Sequence, residues 1–304
     1  MTNHDPAKAL EYKEMGNKCF QAGDYVAAEA YYEKAIRHDV QNPLLYTNRS
    51  TALLKLLNYP AVVANSMHSI ALSPHSMKAH FQLAQAQIEL HNPIPALESA
   101  KLAHKYCVEE LQTGGKGGSS LGVITELVLR CKGEAWAMRE REKEREREGL
   151  LGDVLRGLDR EMRAELEGLE GGRAEGVERL DSKFDSSAEG IDRGERRTEI
   201  EKKWEAKKEE VRQVWEKAGK EGESRRRTVP DWCVDNITFA VMVDPVVTKT
   251  GQSYDRSSIM EHLRRSSTDP LTREPLRVED LRPNLALRLA CEEFLEENGW
   301  AADW

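Results

Sequence analysis

The fold of the C-terminal part is decided by residues 231–256, which read DWCVDNITFAVMVDPVVTKTGQSYDR. Residues 242–247 predict a turn that enters an apolar strand, because an Asp-Pro pair precedes two valines. Residues 251–256 predict a hairpin followed by the start of a helix. Asp255 is expected to cap that helix, which should run to about residue 265.

Two further elements follow in this part of the chain. Residues 269–276 contain two prolines and predict a second, rigid loop. Pro283 and Asn284 predict the cap of a last helix over residues 285–297, and Gly299 is expected to end it. These elements predict a small α+β domain over residues 228–304.

The same region lacks a ligand set for zinc. A structural zinc site needs paired ligands at short spacing, such as C-x₂-C. Residues 231–300 contain two cysteines, Cys233 and Cys291, and one histidine, His262. We therefore expect no metal and no other cofactor, and we expect hydrogen bonds and apolar packing to hold the loops.

The order of motifs in this region is specific. It runs IxF, DPV, GxxYDR, His, DPxTR, Leu and PNLAL. This order resembles the U-box, the zinc-free relative of the RING finger in ubiquitin ligases. The resemblance implies a domain that binds a ubiquitin-conjugating enzyme and positions its ubiquitin thioester, without forming a covalent intermediate itself.

The resemblance also implies roles for individual residues. Ile237 and Phe239 on the first loop, and Pro270 on the second, match positions that contact the conjugating enzyme. Arg273 matches the cation that bridges this enzyme and its bound ubiquitin, an orienting and electrostatic role. The residue types alone also fit core packing for Ile237 and Phe239, and a solvated charge for Arg273. An extended loop would point Ile237 and Phe239 the same way.

The N-terminal third is an internal repeat. Over about residues 7–111, similar residues recur with the 34-residue period of tetratricopeptide (TPR) helix pairs. Gly16, Ser50 and Ala84 hold the small position of each first helix, where two helices approach closely. The second helices are expected to start at Tyr25, Tyr59 and Pro93, with Ala28, Val62, Ala96, Ala35, Ser69 and Ala103 as small or contact residues. Three registered repeats predict a helical solenoid with a continuous core.

Polar residues converge on the predicted concave face of this solenoid. Lys13 and Asn17 share a face of the first helix, and Asn48 and Lys78 lie on the matching helices of the next two repeats. Two ammonium groups and two amides suit the two carboxylates of a peptide that ends in aspartate. The set resembles the carboxylate clamp of TPR co-chaperones, which implies binding of the acidic tails of seventy- and ninety-kilodalton heat-shock chaperones. Phe81 lies one turn from Lys78 and is expected to pack against an apolar residue of the tail.

The clamp departs from its family pattern at two places. Gln82 stands where many clamps carry a cation, and residues 121–123 offer no acidic contact. The residue types also fit a solvated helix face, where lysine is common. The preference between chaperones is therefore open.

The middle of the chain is charged and helical. Residues 112–122 predict a flexible Gly/Ser loop, and residues 123–227 a charged helical hairpin that is expected to break over 168–194. The two apolar seams have heptad-like spacing and consist of Leu151, Leu155, Leu158, Met162 and Leu169, and of Ile200, Trp204, Val211, Val214 and Ala218. This spacing predicts a homodimer, and the alternative is a hairpin that packs on its own chain.

Composition limits the function classes. The 304 residues carry a net charge of −8, with 39% hydrophobic and 32% charged residues. The chain has no excess of basic residues of the kind that indicates nucleic-acid binding. No apolar run is long enough for a membrane span, and no secretory leader is seen. Five scattered cysteines indicate free thiols. We expect a cytoplasmic or nuclear protein.

Together these features predict a multidomain, mainly α chain with a TPR solenoid, a charged hairpin or coiled coil, and a small α+β U-box. This order resembles the family of TPR/U-box co-chaperone ubiquitin ligases, which implies ubiquitination of misfolded clients held by a chaperone. Two alternatives remain: a non-catalytic TPR scaffold, and a U-box ligase whose TPR groove binds another acidic tail.

Overall fold

The computed structural model describes residues 5–113, 120–171, 186–223 and 228–304. The chain divides into two compact units. One unit combines residues 1–139 with 229–304, and the other consists of residues 140–228.

The N-terminal part of the first unit is a stack of antiparallel helix pairs. The helices are α1 (Pro6–Gln21), α2 (Tyr25–His38), α3 (Pro43–Lys55), α4 (Tyr59–Leu72), α5 (Met77–Glu89) and α6 (Pro93–Gln112). Asp24 and Asn58 cap α2 and α4 through their side chains, each accepting a hydrogen bond from the backbone N–H three residues on. The second helices begin at the three residues that the repeat predicted, so that prediction is confirmed.

The small positions of the repeat lie at the helix contacts. A Cβ atom on Gly16 would lie 2.7 Å from the ring of Tyr32 in α2, which explains why this helix carries glycine. Ser50 and Ala84 are fully buried at the equivalent positions. The contact residues of the second helices, Ala28, Val62, Ala96, Ala35, Ser69 and Ala103, are also fully buried. The predicted repeat register is therefore confirmed.

Helix α7 (Leu121–Gly171) begins two residues earlier than the predicted Val123. Its first turns extend the solenoid core, because Leu127, Val128 and Cys131 pack with Ala84 and Ala100 of the preceding helix pair. The predicted Gly/Ser loop falls mainly on residues 114–119, which lie outside the described residues.

The C-terminal part is a three-stranded antiparallel sheet with two helices. The strands are β1 (Pro245–Val247), β2 (Ser253–Asp255) and β3 (Arg282–Pro283), in the order β2-β1-β3. Helix α9 (Arg256–Leu263) follows β2 and is shorter than predicted, since a tight turn onto His262 replaces its last residues. Helix α10 (Leu285–Glu297) has the predicted bounds and the predicted Asn284 cap.

Two apolar clusters form the core of this domain. Val246, Tyr254, Ile259, Leu276 and Leu281 pack around the sheet and α9. The second cluster joins the domain to α7, and it contains Leu129 together with Cys233, Val241, Met242, Cys291, Leu295 and Ala301.

Polar contacts reinforce this junction within the first unit. Lys101 of α6 lies 2.9 Å from the carboxylate of Glu292 in α10. The indole Nε1 of Trp136 donates to the carbonyl of Glu297 (3.2 Å). The side chain of Trp136 also lies directly over Gly299, where an added Cβ would come within 2.1 Å of it. The C-terminal domain is thus packed onto α6 and the start of α7.

The second unit is a helical hairpin. The later part of α7 pairs antiparallel with α8 (Ser186–Glu223), because Glu165 accepts from Trp204 Nε1 (2.6 Å) and Asp159 from Lys208 Nζ (2.7 Å). Trp204 and Lys208 are buried between the helices. The hairpin prediction is confirmed in this form.

Parts of the predicted hairpin differ from the structure. Both helices are longer than predicted, because α7 continues to Gly171 and α8 begins at Ser186. Glycines and serines in this stretch therefore do not end the helices where expected. In the second seam Val214 is 62% exposed and Ala218 is exposed, whereas Trp215 is half-buried. The first-seam residues Leu151, Leu155, Leu158 and Met162 are half-buried, and the side chain of Leu169 lies outside the described part.

Within the described ranges, no helix combines the length and the apolar character needed to cross a membrane.

Candidate functional site

Buried carboxylates hold the loops of the C-terminal domain. Asp235, Asp244, Asp255 and Asp269 are all buried. A buried carboxylate is costly unless hydrogen bonds or an ion pair compensate it. Asp235, Asp255 and Asp269 each accept at least three hydrogen bonds. Asp244 pairs with Arg256. We expected hydrogen bonds to hold these loops, because the sequence offers no paired zinc ligands, and the structure shows such bonds.

The first loop, residues 235–240, closes on Asp235. Its Oδ2 accepts from the backbone N–H and the hydroxyl of Thr238 (3.0 and 2.8 Å). The N–H of Phe239 donates to the carbonyl of Asp235 (2.8 Å), and the N–H of Asp235 to the carbonyl of Ala240 (2.9 Å). Oδ1 of Asp235 accepts from the N–H of Asp255 in β2 (3.0 Å).

The second loop, residues 269–274, has the same construction. Asp269 Oδ1 accepts from the N–H groups of Leu271 and Thr272 (2.9 and 3.1 Å). The N–H of Arg273 donates to the carbonyl of Asp269 (3.0 Å), and the N–H of Asp269 to that of Glu274 (2.8 Å). Both loops therefore follow the pattern Asp-x-x-Thr-x, and Phe239 and Arg273 occupy equivalent positions.

Adjacent residues of β2 connect the two loops to the sheet. The hydroxyl of Tyr254 donates to Asp269 (2.8 Å), while the N–H of Asp255 donates to Asp235. Burial tends to raise the pKa of Asp269, but the hydrogen bonds from Thr272, Tyr254 and Leu271 outweigh it and hold the pKa below its usual value. Burial, together with the hydrogen bond to this carboxylate, raises the pKa of Tyr254.

The two candidate residues of the first loop differ in burial and in backbone conformation. The segment is a turn, not the extended loop that we expected, because the Asp235 bonds close it. Ile237 is half-buried and packs against the cluster around Val246. Phe239 has a φ of 61° and is 69% exposed. The expectation of an extended loop is therefore wrong, and the two side chains differ in burial.

The candidates on the second loop lie at the surface. Pro270 is half-buried and Arg273 is exposed, with a φ of 63°. Leu276, just beyond this loop, belongs to the same cluster on which Ile237 packs. The two loops thus border one core, which places Ile237 and the second loop on neighbouring parts of the domain.

A cavity of about 450 Å³ separates the first loop from α7. Gly122 and Leu129 of α7 line one side, and Ile237, Thr238 and Arg265 line the other. Ile237 therefore remains bordered by space that a partner side chain could fill.

In the TPR groove, the structure brings two predicted residues into direct contact. Lys78 Nζ donates to Asn48 Oδ1 (3.4 Å), which joins α5 to α3. Although Lys78 is exposed at the surface, neighbouring groups partly desolvate its ammonium group, which lowers its pKa. Asn17 on α1 accepts from the hydroxyl of Tyr32 (2.8 Å), and Lys13 is half-buried one turn earlier. Phe81 packs against the α6 and α7 core.

Gln82 is turned away from this set. Its amide group donates to the carbonyl of Thr47 (2.9 Å) and to the hydroxyl of Thr51 (2.8 Å), and the side chain is buried. It therefore links α5 to α3 and offers no cation to a bound tail.

Sequence reasoning missed the carboxylates that shape both loops. The signal was present as the repeated spacing Asp235-x-x-Thr238 and Asp269-x-x-Thr272. Aspartate at this spacing commonly accepts hydrogen bonds from backbone N–H groups two and three residues on. It also missed the contacts of Trp136 with Gly299, for which the sequence carries no local pattern.

Comparisons with known proteins give the family context. Residues 229–300 match the family model of the U-box domain. Over 299 residues the chain is 29% identical to the E3 ubiquitin-protein ligase CHIP of Arabidopsis thaliana, with 97% of this chain and 96% of that protein covered. It is 44% identical over 69 residues to ubiquitin conjugation factor E4 of Schizosaccharomyces pombe, which covers 22% of this chain and 7% of that protein.

Among solved structures, the TPR2B domain of yeast Sti1 in complex with an Hsp70 peptide is 28% identical to this chain. The match covers 41% of this chain and 95% of that one, with a TM-score of 0.38. Residues 229–300 thus carry the U-box match, and the chain as a whole is similar along nearly its full length to a CHIP-type ubiquitin ligase.

Proposed function

We propose that this chain is a ubiquitin-protein ligase that binds an acidic chaperone tail through its TPR groove and a ubiquitin-conjugating enzyme through its U-box. The paired loops carry the proposal, because two Asp-x-x-Thr-x turns present Phe239 and Arg273 at equivalent positions beside Ile237 and Pro270. Preformed loops of this kind suit a protein that positions a partner's thioester.

The ligase itself needs no nucleophile in this mechanism. Burial raises the pKa of Cys291 to about 12 and also raises that of Cys233, so neither U-box thiol is a thiolate at neutral pH. Ile237 and Pro270 would supply the apolar contact with the conjugating enzyme. Arg273 would orient the bound ubiquitin and stabilise charge that develops during transfer.

Single-turnover discharge of a charged conjugating enzyme tests these roles. We expect Ile237→Ala and Pro270→Ala to weaken enzyme binding and abolish transfer, because a central contact residue carries much of such an interface. Arg273→Ala should leave binding intact and slow discharge. Arg282→Ala, an exposed cation on β3, is the control and should discharge at the wild-type rate. If all three loop variants remain fully active, these residues do not form the surface that binds the conjugating enzyme. If the wild-type chain itself fails to discharge the enzyme, the chain is a scaffold and the ligase proposal is wrong.

The tail-binding site would be the carboxylate clamp formed by Lys13, Asn17, Asn48 and Lys78, with Phe81 beside an apolar residue of the tail. The contact between Lys78 and Asn48 supports this proposal, since it gathers an ammonium group and an amide from two repeats. The terminal carboxylate and the aspartate side chain of a seventy- or ninety-kilodalton chaperone tail would replace water around these groups.

Titration calorimetry with an acidic peptide that ends in aspartate tests the clamp. Lys13→Ala and Lys78→Ala should each cost about 2 kcal/mol or more, because each removes a charge-assisted contact. Lys34→Ala, an exposed lysine on α2, is the control. A peptide that ends in alanine should bind weakly to all four proteins. Unchanged affinity in both clamp variants would exclude the clamp.

A second candidate concerns the identity of the tail. Gln82 is buried between α3 and α5 and offers no cation, so the groove differs from clamps that carry one. This observation favours an acidic tail other than the two chaperone tails as the alternative ligand. A comparison of seventy- and ninety-kilodalton chaperone tails with unrelated tails ending in aspartate decides between them.

The remaining parts of the proposal concern assembly and location. Val214 is 62% exposed and Leu150 is 55% exposed on the hairpin, which supports burial of this surface against a second copy of the chain. Light scattering at micromolar concentration should return the mass of a dimer, and the mass of a monomer would refute it. Free cysteines support a reducing compartment, either the cytoplasm or the nucleus, where misfolded clients would be ubiquitinated.

A further inference from the structure

A cleft of about 470 Å³ lies between α6, the start of α7 and α10. One face of α6 forms its floor, since Lys101, His104, Lys105 and Val108 follow each other at helical spacing. Clefts of this size at a junction between domains are common sites for small ligands. It does not include the clamp residues or the two U-box loops.

The walls of this cleft carry more positive than negative charge. The cations are Lys101, Lys105, Lys132, Arg256 and Arg288, and the carboxylates are Glu109, Asp244 and Glu292. Three cations are paired, because Lys101 contacts Glu292 (2.9 Å), Lys105 contacts Glu109 (3.9 Å) and Arg256 contacts Asp244 (2.5 Å). Lys132 and Arg288 have no carboxylate within 4.0 Å in the part of the chain that the structure describes.

Two polar side chains in the cleft are largely withdrawn from water, and one of them carries an enclosed atom without a hydrogen-bond partner. Lys132 is only 8% exposed, and burial lowers the pKa of its ammonium group. The Nε2 atom of His104 is enclosed and has no hydrogen-bond partner. Burial likewise lowers the pKa of His104, although the carboxylates of Asp244 and Asp255 act to raise it. A buried polar group without a partner is costly, so His104 Nε2 offers a hydrogen-bond position to an atom that enters the cleft.

Apolar side chains line the rest of the cleft. Val108 and Val128 lie on the helical side, and Met242, Val243 and Leu285 on the U-box side. Val128 and Met242 are buried, whereas Leu285 is 57% exposed and Val108 is half-buried. A ligand that satisfied only the cations would leave Leu285 and Val108 in contact with water.

We propose that this cleft binds a small organic anion with a phosphate or carboxylate head and an apolar body. The head would lie between Lys132, Arg288 and the N–H of His104 in its Nε2-protonated form. The apolar body would pack on Val108 and Leu285. Because the ligand would contact both α6 and α10, its binding would stabilise the packing of the U-box on the TPR helices.

The test uses the full chain and three probes: phenyl phosphate, benzoate and inorganic phosphate. Calorimetry gives the affinities, and imidazole NMR follows the titration of His104. We expect phenyl phosphate and benzoate to bind and to raise the pKa of His104, since an anion stabilises the imidazolium ion. Inorganic phosphate should bind at least tenfold more weakly, because it lacks the apolar body.

Two variants locate the site. Lys132→Met and Arg288→Met should each weaken binding of phenyl phosphate at least tenfold. The Lys132→Met variant should fold, because a buried lysine without an ion pair tolerates an apolar replacement of similar shape. Lys18→Met, an exposed lysine on α1, should bind as the wild type does. Circular dichroism confirms that each variant is folded. The proposal is overturned if no organic anion binds at millimolar concentration, if both variants bind normally, or if inorganic phosphate binds as tightly as phenyl phosphate.

Discussion

Replacement of Asp269 tests whether buried carboxylates hold the U-box loops. Its oxygen atoms accept from Tyr254, Leu271 and Thr272 at 2.8 to 3.1 Å, and from Thr250 at 3.2 Å. Asp269→Ala removes all four bonds. Asp269→Asn keeps an acceptor at one oxygen and removes the charge, which makes it the matched variant.

The magnitude follows from which donors regain water. The hydroxyl of Tyr254 is fully buried and stays without an acceptor, which costs about 1–3 kcal/mol. The N–H groups of Leu271 and Thr272 lie in an exposed loop and are hydrated again, so each costs less. We expect about 3–4 kcal/mol for Asp269→Ala. For Asp269→Asn we expect about 1–2 kcal/mol, because hydrogen bonds to a charged acceptor are roughly twice as strong as neutral ones.

Denaturant unfolding of the full chain, followed by tryptophan fluorescence, measures these losses. Because the folded pKa of Asp269 lies below its unfolded value of about 3.9, its contribution is fully present above that pH. The contribution disappears as the pH falls through the folded pKa. Asp269→Asn should therefore lose less stability than the wild type between neutral and acid pH.

Tyr254→Phe supplies the internal control, since it removes the donor and leaves the carboxylate. The double variant Tyr254→Phe/Asp269→Asn should cost less than the sum of the two single variants, because they share one hydrogen bond. Strict additivity, or a loss below about 0.5 kcal/mol for Asp269→Ala, would refute the view that this carboxylate holds the loop.

Further predictions concern other parts of the chain. Gly299→Ala should loosen the packing of the U-box on α7, because the new Cβ would lie 2.1 Å from Trp136. Protease cleavage near residue 228 should then increase, and wild-type resistance to the protease would contradict this contact. Gly157→Ala, which meets no atom within 4 Å in α7, is the control and should stabilise its helix by about 0.5–1 kcal/mol. A strong chelator should leave the thermal transition unchanged, and a transition lost in chelator and restored by zinc would refute this. Tyr254 should remain protonated in a spectrophotometric titration beyond pH 10, and ionisation at the usual pH would contradict its burial.

The solenoid was predictable because its repeat constrains every helix pair in the same way. Gly16, Ser50 and Ala84 recur at one period, and a close helix approach demands a small residue at each. Helix starts at Tyr25 and Tyr59 followed from the same register. The ends of α7 and α8 were not predictable, because glycines weaken a helix without ending it and the residues around Gly168 retain enough helix formers.

The candidate site residues remain a prediction from the resemblance, and their geometry was only partly predictable. The U-box resemblance named Ile237 and Phe239, but a period of two along the sequence wrongly suggested an extended loop. The turn depends on Asp235, whose side chain closes it through Thr238 and connects it to β2. Docking of Trp136 on Gly299 joins residues far apart in sequence, and no local pattern encodes such a contact.

The two Asp-x-x-Thr-x loops have a consequence for oxidation. In a zinc-bound loop, the thiolate ligands are the groups that peroxide attacks, and their oxidation releases the metal. Residues 235–240 and 269–274 contain no sulfur atom, and their shape depends on carboxylates that peroxide does not modify. The nearby thiols of Cys233 and Cys291 are buried and protonated. The surface that these two loops form should therefore keep its shape under oxidising conditions that dismantle a zinc finger.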